Sequence, residues 1–380
     1  MGAAERRVMA SSGCTGVSHQ AHVAGGMLRD VIFLIFPGQR QKALRSRVSP
    51  VKLIIFPVEL IFKMPAFRIT GLCFRKIQWN LQRRESFFRS KPMTEAPEDD
   101  MRTLWQESAE SVAAQVMEGL RLPVKDLLMP LLLQVASSPY LKGDSVGFWE
   151  DGLSRLWLPR FTFQRTQVIK RRIRVGIFAG IHGDEPAGIL GLMDFVRMLD
   201  DQPELGREYE LWIYPLCNPS GYLAGQRCSG NGRDLNREFW KNSAEPEVSM
   251  LEQEILKRNF DGILSLHSGD TGGGFYGLAQ DPLIAEQMVA PALQAADRIL
   301  SQTEGAPSGG LGGFHAGKGV QPSRYDGILC APPTQQPQPF EVILESPQGA
   351  PLELQRKAFV MAMREILQSY RGFIAYGADL

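Results

Sequence analysis

The sequence predicts an α/β fold with a mixed, largely parallel sheet flanked by helices. Apolar runs of strand length alternate with helical segments from about residue 161 onward, which is typical of βα units. The polar residues of chemical interest directly follow these runs. Ligands bind at that edge of an open α/β sheet, so we expect the functional site there.

The elements can be justified in chain order. Residues 103–121 have the apolar spacing of an amphipathic helix, and a further apolar stretch at 127–135 is interrupted by Pro130. Alternation at 161–165 predicts a strand, and continuous apolar runs predict buried strands. The remaining predicted elements are strand 174–181, helix 187–199, strand 210–216, helix 247–258, strand 262–266, helix 282–303, a Gly-rich loop at 308–325, strand 340–344 and helix 351–371.

The first 92 residues differ in composition from the rest of the chain. They contain 16 Lys and Arg but 4 Asp and Glu, whereas the other 288 residues contain 26 and 37. We interpret residues 1–92 as a basic N-terminal extension outside the fold, 93–160 as a helical lead-in and 161–380 as the catalytic domain. The functional protein is expected to begin at or near Met93. A basic membrane-surface arm is the competing interpretation of the extension.

Composition excludes several function classes. A net charge of +1 argues against nucleic-acid binding, and no apolar run approaches the roughly 20 residues of a membrane span, so stable membrane insertion is not expected. Five cysteines without a C-x-x-C motif argue against a disulfide scaffold or a cysteine zinc ribbon. We see no secretory signal and expect a cytoplasmic protein. The oligomeric state is left open.

A histidine and a glutamate follow the first buried strand. His182-x-x-Glu185 closes this strand and opens the next helix, and His267 follows a later buried strand. Two imidazoles and one carboxylate leave a fourth zinc position open, which is typical of catalytic rather than structural zinc sites. The alternative is a turn in which Asp184 and Glu185 cap the helix.

Further polar motifs follow in a fixed order. They are Asn218-Pro-Ser-Gly, Arg227, Asp234-Leu-Asn236-Arg237 and, at the end of the last strand, Glu345. An adjacent Asn and Arg suit a planar carboxylate, because guanidinium donates two parallel hydrogen bonds. Taken singly, these motifs have simpler interpretations: a helix-capping Asp234 with a surface arginine, and for Glu345 a loop acid, which is commoner at such a position than a base.

As a set, these motifs resemble the zinc carboxypeptidase superfamily over residues 168–370. This group contains the metallocarboxypeptidases, the murein-peptide amidases and the succinylglutamate desuccinylase/aspartoacylase branch. The resemblance implies one zinc ion, held by His182, Glu185 and His267. It also implies that Glu345 activates the zinc-bound water and that Arg227 stabilises the oxyanion.

The resemblance also implies a substrate site. Asn236 and Arg237 would clamp the substrate carboxylate, and Asp234 would fix the tautomer of the first histidine ligand. Tyr325, 20 positions before Glu345, corresponds to a mobile tyrosine of the peptidases. The sequence departs from the peptidase pattern after Arg237, where it reads Glu238-Phe-Trp.

The expected function is zinc-dependent hydrolysis of an amide bond next to a free carboxylate. A carboxypeptidase acting on a small peptide is the leading interpretation, because of Asn218-Pro-Ser-Gly, the context of His182 and Tyr325. The alternative is a deacylase acting on an N-acyl amino acid. A non-catalytic metal-binding module is a third interpretation, which the presence of all three ligands and of Glu345 disfavours.

Overall fold

The computed structural model describes residues 98–152, 154–165, 171–269, 274–279, 281–300 and 326–378. The basic extension of residues 1–92, the loop at 308–325 and Tyr325 therefore lie outside the described residues. The helices are α1 Glu98–Met117, α2 Val124–Leu127, α3 Met129–Ser137, α4 Pro186–Asp201, α5 Pro219–Ala224, α6 Pro246–Arg258, α7 Pro282–Ile284, α8 Ala290–Leu300 and α9 Leu352–Ala378. The strands are β1 Leu141–Asp151, β2 Ser154–Gln164, β3 Ile173–Ala179, β4 Tyr209–Tyr214, β5 Gly262–Gly269, β6 Tyr276–Ala279 and β7 Phe340–Pro347.

These strands form one mixed sheet. Its order is β1-β2-β4-β3-β5-β7-β6. The four central strands β4, β3, β5 and β7 are parallel to one another, and the pairs at both edges are antiparallel. The predicted fold class is confirmed.

The structure differs from the predicted helical lead-in of residues 93–160. Helices do occupy 98–117 and 124–137, but β1 and β2 follow and join the same sheet. The first predicted strand, at 161–165, is therefore the end of the eleven-residue strand β2. The predicted strand 340–344 also continues further, through Glu345 to Pro347.

The central strands are buried because both faces of the sheet are covered. On one face, Val175 and Ile177 of β3 pack in a large core with residues of α4, α8 and α9. On the other face, Phe178 packs with Tyr214 and residues of α6. Continuous apolar runs are what a strand covered on both faces requires.

The order of the strands in the sheet, compared with their order in the chain, determines where the site lies. After β3 the chain crosses to β4 on one side of β3, and it later returns to form β5 on the other side. Such a switch in direction opens a crevice at the carboxyl ends of β3 and β5.

Among the described residues, no helix is both long and apolar enough to cross a membrane.

Candidate metal centre

The loop after β3 presents His182 and Glu185. Gly180 adopts a left-handed conformation with φ 62°, which turns the chain at the strand end. Glu185 is the residue before α4, and Pro186 follows at the first helical position, where the missing proline N–H costs nothing. Gly183 lies against the backbone of α5, because a Cβ there would be 2.0 Å from the carbonyl carbon of Gly221. A glycine between the two ligand candidates is therefore required by packing.

His267 completes a compact group with these two residues. His182 Nδ1 lies 2.6 Å from Glu185 Oε1, and His267 Nδ1 lies 3.2 Å from Glu185 Oε2 and 3.2 Å from His182 Nδ1. All three side chains are buried. Donors bound to one zinc ion at about 2.0–2.2 Å lie roughly 3.3–3.6 Å apart in tetrahedral geometry. The spacing of the three donors suits one metal ion after a small expansion.

The outward-facing nitrogens of both imidazoles also have partners. His182 Nε2 lies 3.2 Å from Asp234 Oδ1, and His267 Nε2 lies 2.9 Å from Ser265 Oγ. The backbone N–H of Ser268 donates to Glu185 Oε2 at 2.9 Å. Contacts of this kind hold a ligand ring in one orientation and direct its other nitrogen inward.

The electrostatics of the group favour a cation. Burial disfavours a charge on His182, but the carboxylates of Asp234 and Glu185 outweigh burial and raise the pKa of this imidazole to about 9. Burial acts on Glu185 in the opposite sense, yet hydrogen bonds from His182 and His267 lower the pKa of its carboxyl to about 2. In Asp234 the bonds from His182 and Arg227 likewise outweigh burial and hold the pKa below its usual range.

Arg227 reaches the group from the loop after α5. Its Nε donates to Asp234 Oδ2 at 3.1 Å and its Nη1 donates to Glu185 Oε1 at 3.4 Å. The side chain is 40% exposed, so it can also face a ligand. The Arg227 backbone is fixed by Asn218, whose Nδ2 donates to the carbonyls of Arg227 at 3.3 Å and Ile181 at 3.2 Å. Asn218-Pro-Ser-Gly is thus a packing motif that joins the Arg227 loop to the His182 loop.

Asn236 and Arg237 occupy different surroundings. Asn236 is buried, and its Oδ1 accepts from the backbone N–H of Leu329 at 2.8 Å. Arg237 is exposed and donates to the Asn236 carbonyl at 2.7 Å. The backbone of Gly327 packs directly on the Arg237 carbonyl, since a Cβ at Gly327 would lie 2.1 Å from that oxygen. The residues predicted as a carboxylate clamp are therefore braced by the segment before β7.

Glu345 lies beside the metal ligands in the sheet. It pairs in register with His267 of β5 on one side and with Tyr276 of β6 on the other. Paired positions on adjacent strands project their side chains from the same face. His267 and Glu345 therefore share one face at the carboxyl edge of the sheet, whereas Tyr325 lies outside the described residues.

Two residues that contact the site were missed in the sequence. Ser265 could have been found, because it precedes His267 by two positions on a strand and so shares its face. Arg121 could not, because its Nη1 donates to the Gly183 carbonyl at 3.2 Å across 62 positions of sequence. That contact depends on how the segment after α1 docks, which no local pattern reports.

Comparison with known proteins shows a family match over part of the chain. Residues 172–308, about a third of the chain, match the model of the succinylglutamate desuccinylase/aspartoacylase catalytic domain. The predicted resemblance to the zinc carboxypeptidase superfamily is confirmed. The matched segment contains His182, Glu185 and His267. No curated protein matches the chain.

Solved structures are similar to this chain at low sequence identity. A metallo-carboxypeptidase from Burkholderia cenocepacia is 18% identical with a TM-score of 0.50, over 66% of this chain and 69% of its own. One from Pseudomonas aeruginosa is 16% identical with a TM-score of 0.46, over 64% and 68%. An aspartoacylase family protein from Mesorhizobium loti is 19% identical with a TM-score of 0.39, over 60% and 68%. The Burkholderia structure supports the fold.

Proposed function

We propose that the protein is a zinc-dependent hydrolase that cleaves an amide bond next to a free carboxylate. The observation that carries the proposal is the convergence of three buried donors from His182, Glu185 and His267 on one point. Glu345 lies in register beside His267 at the same sheet edge. Arg227 approaches from the opposite loop with a partly exposed guanidinium.

The donor set fits zinc. Two imidazole nitrogens and a carboxylate are the ligands of many catalytic zinc sites, and three protein ligands leave a position for water or substrate. Asp234 and Ser265 occupy the outward nitrogens of the two rings, so the inward Nδ1 atoms are the ones available to the ion. When bound, zinc polarises the amide carbonyl and lowers the pKa of water toward about 7.

Protein side chains then carry out proton transfer, stabilise the developing charge and bind the substrate. Glu345 takes a proton from the attacking water and delivers it to the leaving amine, which is the role of a general base and acid. Arg227 donates to the oxygen on which charge develops, and one such donor contributes about 3 kcal/mol to barrier reduction. Its bonds to Asp234 and Glu185 orient the guanidinium before substrate binds. Arg237 binds the substrate carboxylate.

An N-acyl amino acid is the substrate that we favour. The matched family model describes desuccinylase and aspartoacylase catalytic domains. The main sequence argument for a carboxypeptidase, Asn218-Pro-Ser-Gly, concerns a motif whose asparagine is used for packing in this structure. A peptide with a free C-terminus is the second candidate, which the peptidase-like context of His182 still favours.

A hydrolysis screen followed by mass spectrometry tests the proposal. Zinc-loaded full-length protein is offered N-acyl amino acids, peptides with free C-termini and the amidated form of each. Cleavage of free but not amidated N-acyl amino acids supports the favoured substrate, and cleavage of free peptides alone supports the second. Equal cleavage of free and amidated forms would contradict a carboxylate-binding role for Arg237.

The variant Glu345→Gln is the control for catalysis. If zinc still binds and turnover collapses, the hydrolysis belongs to this site and Glu345 is its base. Absence of turnover in the wild type on every substrate, with zinc bound, would favour a non-catalytic metal-binding module.

A further inference from the structure

A buried chain of polar side chains lies behind the Arg227 loop. Glu247 of α6 is 1% exposed, and its Oε1 lies 3.0 Å from Ser220 Oγ. Ser220 Oγ lies in turn 3.2 Å from Asn218 Oδ1. Asn218 fixes the carbonyls of Ile181 and Arg227. The chain therefore connects an ionisable group on a remote helix to the backbone that carries Arg227.

The count of protons in this chain depends on the charge of Glu247. Ser220 has one hydroxyl proton, yet two oxygen acceptors lie within 3.2 Å of its Oγ. The backbone N–H of Gly230 also donates to this Oγ at 2.9 Å. With Glu247 protonated, its O–H donates to Ser220 and the Ser220 proton is available to Asn218, so every group is satisfied. When Glu247 is ionised, its carboxylate accepts the hydrogen bond from the Ser220 hydroxyl. Ser220 Oγ and Asn218 Oδ1, both acceptors, then face each other with no proton between them.

The surroundings of Glu247 favour the protonated form. Burial, together with the carboxylates of Glu245 just before the same helix and Asp151 on β1, raises the pKa of Glu247 to about 7. Hydrogen bonds from its own N–H and from Ser220 act in the opposite sense. Asn231 of the facing loop donates to Glu245 at 3.3 Å and adds no charge.

We propose that Glu247 is a positioning residue whose protonated form orders Ser220 and Asn218 and thereby holds the Arg227 loop against the metal centre. Deprotonation loosens this loop without removing any metal-binding side chain. The consequence for turnover rests on the proposed function, since it acts through Arg227. The loosening of the loop does not rest on the proposed function, and it can be measured without a substrate.

Amide hydrogen exchange on the full chain tests the loosening directly. The reporters are the N–H groups of Gly221 and Gly230, which donate to Asn218 Oδ1 and Ser220 Oγ. Exchange of wild type and Glu247→Gln is compared at about pH 6 and about pH 8, on either side of the pKa. The glutamine keeps a donor toward Ser220 at both pH values. We expect equal exchange at the lower pH and about tenfold faster exchange in the wild type at the higher pH, corresponding to one buried hydrogen bond.

Two further variants make the result specific. Ser220→Ala removes the hydroxyl that links Glu247 to Asn218. It should speed amide exchange at Gly221 and Gly230 by the same factor at both pH values. Glu245→Gln removes a neighbouring charge outside this hydrogen-bonded series and should retain the pH dependence with its midpoint at lower pH. Identical exchange of wild type and Glu247→Gln at both pH values, with circular dichroism unchanged, would overturn the proposal.

Turnover then separates this inference from the proposed function. On a substrate that the hydrolysis screen identifies, kcat of the wild type should fall above about pH 7 relative to that of Glu247→Gln, with zinc affinity equal. A pH-dependent exchange difference without any hydrolysis would contradict the proposed function but not the positioning role. Hydrolysis with the same pH profile in the wild type and in Glu247→Gln would contradict the positioning role.

Discussion

Replacement of Asp234 by asparagine should weaken zinc binding while leaving the fold intact. Asp234 Oδ1 accepts from His182 Nε2 at 3.2 Å, and Oδ2 accepts from Arg227 Nε at 3.1 Å. Asparagine has nearly the same shape, but one of its two oxygens becomes an NH₂ donor. That NH₂ must then face either the His182 ring N–H or the Arg227 guanidinium, both of which are donors.

The magnitude follows from these two contacts. A hydrogen bond to a charged group contributes about 1.5–3 kcal/mol, and each 1.4 kcal/mol corresponds to about tenfold in an equilibrium constant. If the asparagine oxygen keeps one contact and loses the other, zinc affinity should fall about 10- to 100-fold. Loss of partners to metal-bound histidines has effects of this size in other zinc proteins.

Competition with a chromogenic chelator measures this affinity. Asp194→Asn is the matched control, because Asp194 also accepts from an arginine, Arg356, through both oxygens at 2.9 Å. It lies on α4 away from the donors, so we expect zinc affinity unchanged and stability reduced. Zinc affinity of Asp234→Asn equal to that of the control would refute the reasoning.

Three further outcomes are expected. Glu345→Gln should lower kcat about 100-fold or more, while chelator competition shows unchanged zinc affinity; comparable losses of both would make Glu345 a structural residue. Gly183→Ala places a Cβ 2.0 Å from the Gly221 backbone and should cost at least about 3 kcal/mol in urea unfolding. Gly349→Ala, where nothing lies within 4 Å, should change stability by less than about 0.5 kcal/mol. Because burial raises the pKa of Glu247 from 4.5 to about 7, its protonated form contributes stability that is complete below pH 4.5 and is lost as pH rises to 7. The wild type should therefore lose about 3 kcal/mol relative to Glu247→Gln across that range, and parallel unfolding curves would contradict the assignment.

Local sequence pattern predicted the elements that are buried on both faces. Strands β3 and β5 contain continuous apolar runs, so their positions could be read directly, although β5 continues three residues past its predicted end at 266. Strand β1 is an edge strand. Most of its residues are partly buried, and buried and exposed positions do not alternate regularly. Strand β6 has four residues and pairs with β7 at the opposite edge of the sheet. Without a periodic pattern, such strands are specified by their partners and not by their own residues.

The candidate site divides in the same way. His182 and Glu185 are three positions apart, and His267 ends a buried run, so the topology alone brings all three to one edge. The environment of Asn236 could not be predicted. Its side-chain oxygen is taken by the Leu329 backbone, a contact across 93 positions that depends on tertiary packing. A motif thus located the residue but did not reveal which of its atoms is available to a ligand.

The family match covers part of the candidate site and leaves another part outside it. The segment 172–308 that matches the family model contains the three metal donors and Arg227. Glu345 and the segment that braces Asn236 and Arg237 come after it, and Arg121, which holds the Gly183 peptide, comes before it. The match therefore covers the metal donors and the residues predicted to bind the substrate carboxylate, but not Glu345 or the segments that brace the site. Because part of the site lies outside the match, hydrolysis of a defined panel, rather than the family match, should decide the substrate.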